Sequence, residues 1–435
     1  MPEVHVLEQP ISFGSELRRR RTAAGWSLIQ LAMAVHYSKG HLSKVETGHK
    51  RPSPDLARLC DSALRADGAL TALVPRPPAP EAAAPREPRT DGDVWIMQWD
   101  TDGSVRFAAV DRRKALALGA SCLLAVAAGE VQAAAAPADP GLLDASRTLF
   151  DQYRKLGQTS APGALVPPLI AQTQALRDLA ARSRAGARHG FLILASRYAE
   201  FAGWMAQEAG NDEAAKWLTN RAVELADAGG DQHLATYALA RQALISFYAG
   251  DARTTVALAE RAAGTTAAPP RIRGLAAQQA AQGHALAGDH DSCMRRLDRA
   301  RALLATDSSD PSLPVIGTSN LSDPVSMATG WCLYDLGRPR HAADILDQEV
   351  ARLPDYSVRN QARYGMRRAL SHAAAGEIEH ACHLAGELLG PASLVGSATI
   401  RADVRRLARL LSRHRSHRAV RELSPQLITA LRPSA

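Results

Sequence analysis

The chain has 435 residues, a formal net charge of +8 and a hydrophobic fraction of 46%. A chain of this length is too long for one small module and predicts two or more domains. Only 5% of the residues are aromatic, and the abundant alanine favours closely packed helices over sheets. The positive charge fits a nucleic-acid partner but does not by itself identify one.

Residues 27–53, SLIQLAMAVHYSKGHLSKVETGHKRPS, are the most informative segment and predict two short helices joined by a tight turn. Apolar residues recur at helical spacing after the first serine, which places them on one helix face. Serines suited to cap helix N-termini stand at Ser27, Ser38 and Ser53. Gly48 stands where a left-handed helix end needs glycine, and Pro54 suits the first position of the next helix.

Basic charge is concentrated in this part of the chain. Between residues 13 and 60, nine lysines and arginines stand against three acids, and three of the chain's six lysines fall within 27–53. Attraction to phosphate needs this sign and predicts a steep loss of affinity with salt. Arg18–Arg21 lie on a preceding helix, where we expect a largely solvated face. A protein-interaction module with a basic surface is the alternative interpretation.

The segment resembles the helix-turn-helix of the Xre family of bacterial and phage regulators, which has the lambda-repressor-like fold. The family-spaced motifs that carry the resemblance are Leu31-Ala32, Ser38, Leu42-Ser43, Val45-Glu46, Gly48 and Pro52-Ser53. The resemblance implies a five-helix DNA-binding domain at residues 13–74, preceded by a tail at 1–12. It also implies that the second motif helix enters the major groove.

Carried over residue by residue, the resemblance implies that Lys39, Gly40 and Lys44 face the bases. Lysine can donate to the O6 and N7 acceptors of guanine, whereas Gly40 has no side chain with which to do so. The other positions expected to contact DNA are Ser27, Gln30, Ser38, His41, Ser43, Thr47, Lys50 and Arg51. Arg21 and Glu46 occupy positions that form a structural ion pair in relatives.

The next segments connect two domains. Clustered prolines and alanines predict a semi-extended linker at 75–93, which would let the N-terminal domain move. Within residues 94–110, the apolar residues Val105, Phe107 and Ala109 occupy alternate positions, and Asp102-Gly103 is a turn signal. This pattern predicts a β-hairpin. Part of a calcium-loop pattern occurs there too, but the remaining ligands are absent. The hairpin belongs to a connecting unit at 94–136.

That unit also contains an apolar run at 115–129, preceded by Arg112-Arg113. An export signal or a membrane helix would share this pattern. A signal peptide must be N-terminal, and a membrane helix needs about twenty apolar residues. We therefore expect an apolar connecting helix, no membrane attachment and a cytoplasmic protein.

Residues 137–435 predict an α-solenoid with an internal repeat. A glycine followed by a small or charged residue recurs at Gly210, Gly250, Gly288, Gly337 and Gly376, at intervals of 40, 38, 49 and 39 residues. An amphipathic helix precedes each glycine and another follows it. We expect close helix crossings at the small residues Ala214, Ala257, Cys293, Ala342 and Ala381. The pattern resembles tetratricopeptide repeats, with a longer period.

The repeats would form a concave groove in which ligands bind. The candidate groove residues are Arg197, Tyr237, Arg241, Trp331, Arg363 and Arg367. As a set they indicate a peptide, small-molecule or protein ligand of acidic character; singly, each also suits a structural role. The arginine-rich stretch at 401–421 has a leucine stripe and predicts the polar cap of the solenoid, or alternatively a second DNA contact.

No catalytic pattern, cofactor site or metal site is predicted. The chain lacks the phosphate-loop, nucleophile-elbow and zinc-protease motifs, and its five scattered cysteines form no metal pattern and indicate reduced thiols. The leading hypothesis is a sequence-specific transcriptional regulator of actinobacterial type, a homodimer on double-stranded DNA. The alternative is a protein-interaction scaffold with a nonspecific or vestigial DNA-binding domain.

Overall fold

The computed structural model describes residues 12–74, 93–99, 105–111, 140–306, 315–317 and 321–432. The predicted tail, most of the linker and the predicted connecting helix lie outside these residues. The N-terminal domain, called the head below, contains α1 (Phe13–Ala23), α2 (Leu28–Ala34), α3 (Lys39–Glu46), α4 (Pro54–Leu64) and a 3-10 turn (Thr71–Leu73).

Local sequence signals start the head helices as predicted. The side chains of Ser27, Ser38 and Ser53 each accept a hydrogen bond from a backbone amide in the first turn of α2, α3 and α4. Behind these caps, the shared core contains fully buried leucines and a valine, which are Leu17, Leu31, Val35, Leu42 and Leu56. Short helices of this length depend on such packing.

The fifth element of the head is a single 3-10 turn instead of the expected helix. The buried carboxylate of Asp61 accepts hydrogen bonds from the backbone amides of Leu70 and Thr71 at 2.9 and 2.8 Å. It also accepts one from the Thr71 hydroxyl at 2.6 Å. Leu70 and Thr71 begin the 3-10 turn, so Asp61 caps its N-terminus. The turn ends at Val74, whose backbone is extended.

Two strands that follow the head in the sequence form an antiparallel pair. They are β1 (Asp93–Trp99) and β2 (Val105–Asp111), with Asp93 opposite Asp111 and Trp99 opposite Val105.

The rest of the described chain is a helical array, called the body below, which confirms the predicted all-helical class. Its helices are α5 (Pro140–Thr159), α6 (Pro162–Arg182), α7 (Ala185–Glu208), α8 (Asp212–Ala228), α9 (Leu234–Tyr248), α10 (Ala252–Gly264), α11 (Pro270–Leu286), α12 (His290–Ala305), α13 (Pro324–Asp335), α14 (Pro339–Val350), α15 (Val358–Ala375), α16 (Ile378–Val395), α17 (Ala398–Leu411) and α18 (Arg418–Leu431). No helix of the described chain is both long enough and apolar enough to cross a bilayer.

Glycine turns join the helices of each pair, as the repeat pattern predicts. All five repeat-marking glycines have positive φ angles, between 75° and 96°. Small buried residues follow in four of the pairs, at Ala214, Cys293, Ala342 and Ala381. The prediction for Ala257 is wrong, because that residue is exposed. Thr255 is fully buried instead, and its methyl group faces Gly283 of the neighbouring helix.

The array closes on itself, so its concave side is a cavity rather than an open groove. A Cβ at Gly210 would lie 3.2 Å from Ala398, which joins the first glycine turn to α17. Arg359 on α15 is fully buried and donates to the carbonyl of Gly157 at 2.6 Å and to Glu208 at 3.2 Å. These contacts join the beginning of the body to its end.

The head is docked on the body, which differs from the mobile arrangement that the linker predicted. Arg58 of α4 lies 3.8 Å from the Asp335 carboxylate, and its guanidinium stacks 5.1 Å from the centre of the Tyr334 ring. The Arg338 side chain donates to the carbonyl of Asp67 at 3.2 Å. Ionic, cation–π and hydrogen-bonding contacts of α4 and of the loop after it thereby hold the head against α13 and the start of α14.

Candidate nucleic-acid interface and repeat-domain cavity

Helix α3 presents one face to solvent because the other face is anchored in the head core. Leu42 and Val45 are buried to 1% exposure or less. Lys39, Gly40 and Lys44 lie on the exposed side. The three positions expected to face bases are therefore accessible together on a helix whose N-terminus is capped by Ser38.

The remaining expected DNA-contacting positions surround α3. They are exposed at Ser27, Gln30, Ser38, Ser43, Thr47, Lys50 and Arg51 and half-buried at His41. Ser27 and Gln30 form a reciprocal capping box, in which the Gln30 carboxamide oxygen accepts from the Ser27 amide at 2.8 Å. The amide nitrogen of Gln30 is then the group that suits phosphate.

His41 is held as a neutral group within this basic surface. Burial lowers the pKa of its imidazole, and the nearby charges of Lys50 and Lys44 lower it further. The Lys50 ammonium lies 3.5 Å from His41 Nδ1. At neutral pH His41 therefore suits a hydrogen bond more than a charged contact with phosphate.

Ion pairs fix α1 against α3, and they confirm the structural pairing of Arg21 with Glu46. The two side chains are joined by hydrogen bonds of 2.7 and 3.0 Å, and Arg21 also donates to the Trp26 carbonyl. Arg19 and Arg20 both bind Glu16, and these bonds lower the pKa of that carboxyl to about 2 despite its burial. Three of the four consecutive arginines thus have roles within the head.

The arginine-rich C-terminal stretch closes the array and also contacts the head. Leu407 and Leu411 are buried within the last helix pair. Beyond them, Arg413 donates to the Tyr37 hydroxyl at 2.7 Å and lies 4.7 Å from the centre of its ring. The rings of His36 and His414 are 3.8 Å apart. The turn that precedes α3 is therefore in direct contact with the end of the body.

Five of the six candidate groove residues lie around one cavity inside the body. They are Arg197, Tyr237, Arg241, Trp331 and Arg363. Arg367 is not part of the lining; it contacts Trp331 and donates to Asp403 at 2.9 Å. The cavity volume is about 150 Å³, which is room for about five waters.

The arginines of the lining also hold neighbouring helices together. Each of them therefore has the structural role that was the alternative interpretation, in addition to lining the cavity. Arg197 binds Asp231 at 2.6 Å and Arg363 binds Glu208 at 2.5 Å. Burial would raise the pKa of Glu208, but Arg363 and other partners hold it below the usual value. These pairs fix the guanidinium groups in place around the cavity, which keeps the site ordered without a ligand.

Sequence reasoning missed the glutamines that line this cavity. Gln278, Gln279 and Gln282 of α11 belong to the lining. Their spacing puts them on one helix face, within the alanine-rich segment AAQQAAQ. Three carboxamides on one face of an otherwise small-residue helix are the signal that could have identified them.

One group of side chains outside the cavity has the donor spacing of a metal site among the described residues. It consists of Asp347, His372 and His380. Asp347 already binds Arg368, and His372 lies between Asp347 at 3.1 Å and Glu377 at 2.7 Å. Asp347 and His372 thus form a hydrogen-bonded link between α14 and α15, and the ring of His380 lies edge-on to that of His372 at 4.5 Å.

Comparison with known proteins identifies the head. A family model described as a helix-turn-helix domain matches residues 12–74. No curated protein and no solved structure gives a significant match to the chain. The match assigns the head to a class of domain that binds DNA and acts in transcription regulation.

Proposed function

We propose that the protein is a sequence-specific transcriptional regulator in which a ligand bound in the body cavity controls the position of the head. The observation that carries this proposal is that one helix, α13, contacts both the cavity and the head. Trp331 of α13 lines the cavity. Tyr334 and Asp335, one turn further along, contact Arg58 of the head.

The buried state of Asp335 makes this contact sensitive to small displacements. Asp335 is 4% exposed, and burial raises the pKa of its carboxyl while Arg58 opposes that rise. A buried carboxylate that loses its cationic partner is costly. A ligand that shifts Trp331 would therefore change the free energy of docking through α13, which gives the cavity a route to the DNA-binding surface.

We further propose that the protein acts as a homodimer of the Xre type on paired half-sites. Gly40 contributes no side chain, so direct recognition of bases depends mainly on Lys39 and Lys44. Two lysines in one head give limited discrimination between DNA sequences. Pairing two heads on two half-sites doubles the number of base contacts. Exposed leucines at seven-residue spacing along α5 offer a surface for pairing; they are Leu142, Leu149 and Leu156.

The test begins with the DNA that the full-length protein protects upstream of its own coding sequence. Lys44→Ala and Lys50→Ala are compared with Lys216→Ala, an exposed lysine on α8 of the body. Lys44→Ala should reduce the preference for the protected site over random DNA, because a base contact is lost. Lys50→Ala should weaken binding to both DNAs equally and reduce the salt slope by about 1. Lys216→Ala should leave both quantities unchanged.

Two outcomes would count against this function. Equal affinity for all sequences at physiological salt would favour the scaffold with a nonspecific head. Indistinguishable effects of Lys44→Ala and Lys50→Ala would refute the assignment of α3 as the base-contacting helix. Sedimentation of Leu149→Lys against the unaltered chain tests the dimer separately, since a charge at the centre of the stripe should shift the protein to monomers.

A further inference from the structure

Side chains that line the cavity carry buried polar atoms that lack hydrogen-bond partners. Among the described residues, no partner lies within reach of the carboxamide oxygens of Gln278, Gln279 and Gln282. Gln282 as a whole is 4% exposed. A buried acceptor without a donor is unfavourable, so these three oxygens call for donors that a molecule in the cavity would supply.

The same lining offers positive charge. Four of its residues are arginines, at Arg154, Arg197, Arg241 and Arg363, whereas Glu200 is the carboxylate among them. Arg197 and Arg363 each keep a buried Nε–H group with no hydrogen-bond acceptor in the described chain. Arg241 lies 3.3 Å from Glu200, and Arg197 and Arg363 pair with Asp231 and Glu208. The four arginines thus stand against three carboxylates, and this single excess positive charge, with the two Nε–H donors, suits a ligand with one anionic group.

Aromatic rings form much of the remaining wall. Phe201 and Trp204 are stacked with their centres 5.7 Å apart, and Tyr248 and Trp331 meet edge to face at 5.9 Å. All four residues line the cavity. Such surfaces favour a flat, unsaturated ring, because aromatic groups gain from stacked and edge-to-face contacts beyond the burial of area.

A short backbone segment forms part of the cavity wall. Val315 and Gly317 belong to the lining, and Arg154 donates to their carbonyls at 2.9 and 3.0 Å. Arg271 donates to the carbonyl of Ile316 at 2.8 Å. With three consecutive carbonyls held in this way and the array closed, the cavity suits a small molecule better than a peptide laid along a groove.

We propose that the cavity binds a small aromatic acid that carries a separate hydrogen-bond donor. Its anionic group pairs with the arginine side of the lining, its ring packs between the aromatic residues, and its donor binds the glutamine oxygens. This assignment rests on the proposed function in one respect only, which is that the regulatory ligand binds in the cavity. The binding itself is independent of DNA.

Isothermal titration calorimetry on the full chain tests the proposal with four named compounds. 4-Hydroxyphenylacetate and indole-3-acetate carry the acid, the ring and a donor. Phenylacetate lacks the donor, and tyramine replaces the acid with a cation. We expect dissociation constants of about 1 mM or tighter for the first two acids. Phenylacetate should bind about tenfold more weakly, as for one lost hydrogen bond, and tyramine should not bind.

Matched variants place the binding in the cavity. Gln279→Leu and Gln282→Leu should each weaken 4-hydroxyphenylacetate about tenfold, with little effect on phenylacetate. Gln174→Leu, on the exposed face of α6, should leave all affinities unchanged. The comparison among compounds uses the unaltered protein, so it stands even if a variant fails to fold.

Three results would overturn the proposal: no binding of either donor-bearing acid, equal binding of tyramine, or affinities unaffected by the glutamine substitutions. DNA protection without any compound, together with a lack of acid binding, would reject the ligand assignment alone. Acid binding that leaves DNA affinity unchanged would keep the ligand and reject the coupling through α13.

Discussion

Replacing Gly288 by alanine should release the head from the body, and Gly250 provides a matched control. Both glycines end inner helices of the array with nearly the same left-handed backbone, at φ angles of 78° and 79°. A Cβ at position 288 would lie 2.7 Å from the Cα of Ala72 in the head and 3.2 Å from its amide nitrogen. At position 250 nothing lies within 4 Å.

The two substitutions therefore share one cost and differ in another. Each places alanine in the left-handed region, at a cost of about 1–2 kcal/mol to the stability of the body. Gly288→Ala adds a backbone overlap with the head, and such overpacking costs about 1–3 kcal/mol. Because the head can relieve the overlap by moving away, this second cost should fall on docking rather than on folding.

Hydrogen exchange measured by mass spectrometry separates the two costs. Peptides covering residues 66–74 should exchange about 5- to 160-fold faster in Gly288→Ala than in Gly250→Ala, which corresponds to the added 1–3 kcal/mol. The temperature at which the body unfolds should fall by a similar amount in both variants. Equal exchange of these peptides in the two proteins would refute the docking of the head against the α11–α12 turn.

Three further outcomes follow from the contacts described above. Burial lowers the pKa of His36, and burial together with His36 and neighbouring cations lowers that of His414 to about 4. Both pKa values lie below the ordinary 6.5, so protonation of these histidines opposes docking. Docking of the head should therefore be fully favourable above pH 6.5 and weaken as the pH falls toward 4. A radius of gyration that stays constant over this range in small-angle scattering would contradict this. Gly40→Ala should stabilise the head by about 0.5–1 kcal/mol, because nothing lies within 4 Å of the added Cβ; lower stability in urea titration would show a hidden clash. Arg359→Met should cost about 3 kcal/mol or more in the same titration, since it leaves Glu208 with less compensation, and a loss below about 1 kcal/mol would refute a structural role for the pair.

Local signals were sufficient to predict the helices of the head. A cap depends on a side chain and an amide three residues away, so Ser27, Ser38 and Ser53 could be recognised without knowledge of the rest of the chain. The fifth helix was not predictable in the same way. In its place stands a single 3-10 turn, whose first amides are capped by Asp61 from nine and ten residues earlier, and nothing in the local pattern reveals that contact.

The cavity was only partly predictable for a related reason. The resemblance to tetratricopeptide repeats, in which the first helix of each pair lines the groove, placed Arg197, Arg241 and Trp331 on inner helices. Periodicity could not show that the array closes and turns a groove into a cavity. It also gave no weight to Gln278 and Gln282, because a glutamine on an alanine-rich helix is ordinary until its surroundings remove water from it.

The sequence by itself determined where the helices of the head begin, where the repeat turns lie and which face of α3 carries lysines. These features depend on residues a few positions apart, whose interactions are fixed by the backbone period. Tertiary structure alone decided the closed array, the glutamine-lined cavity and the docked head. Each of those depends on partners far apart in the chain, such as Arg413 and Tyr37, 376 positions apart, and only the packing of whole helices brings such side chains together.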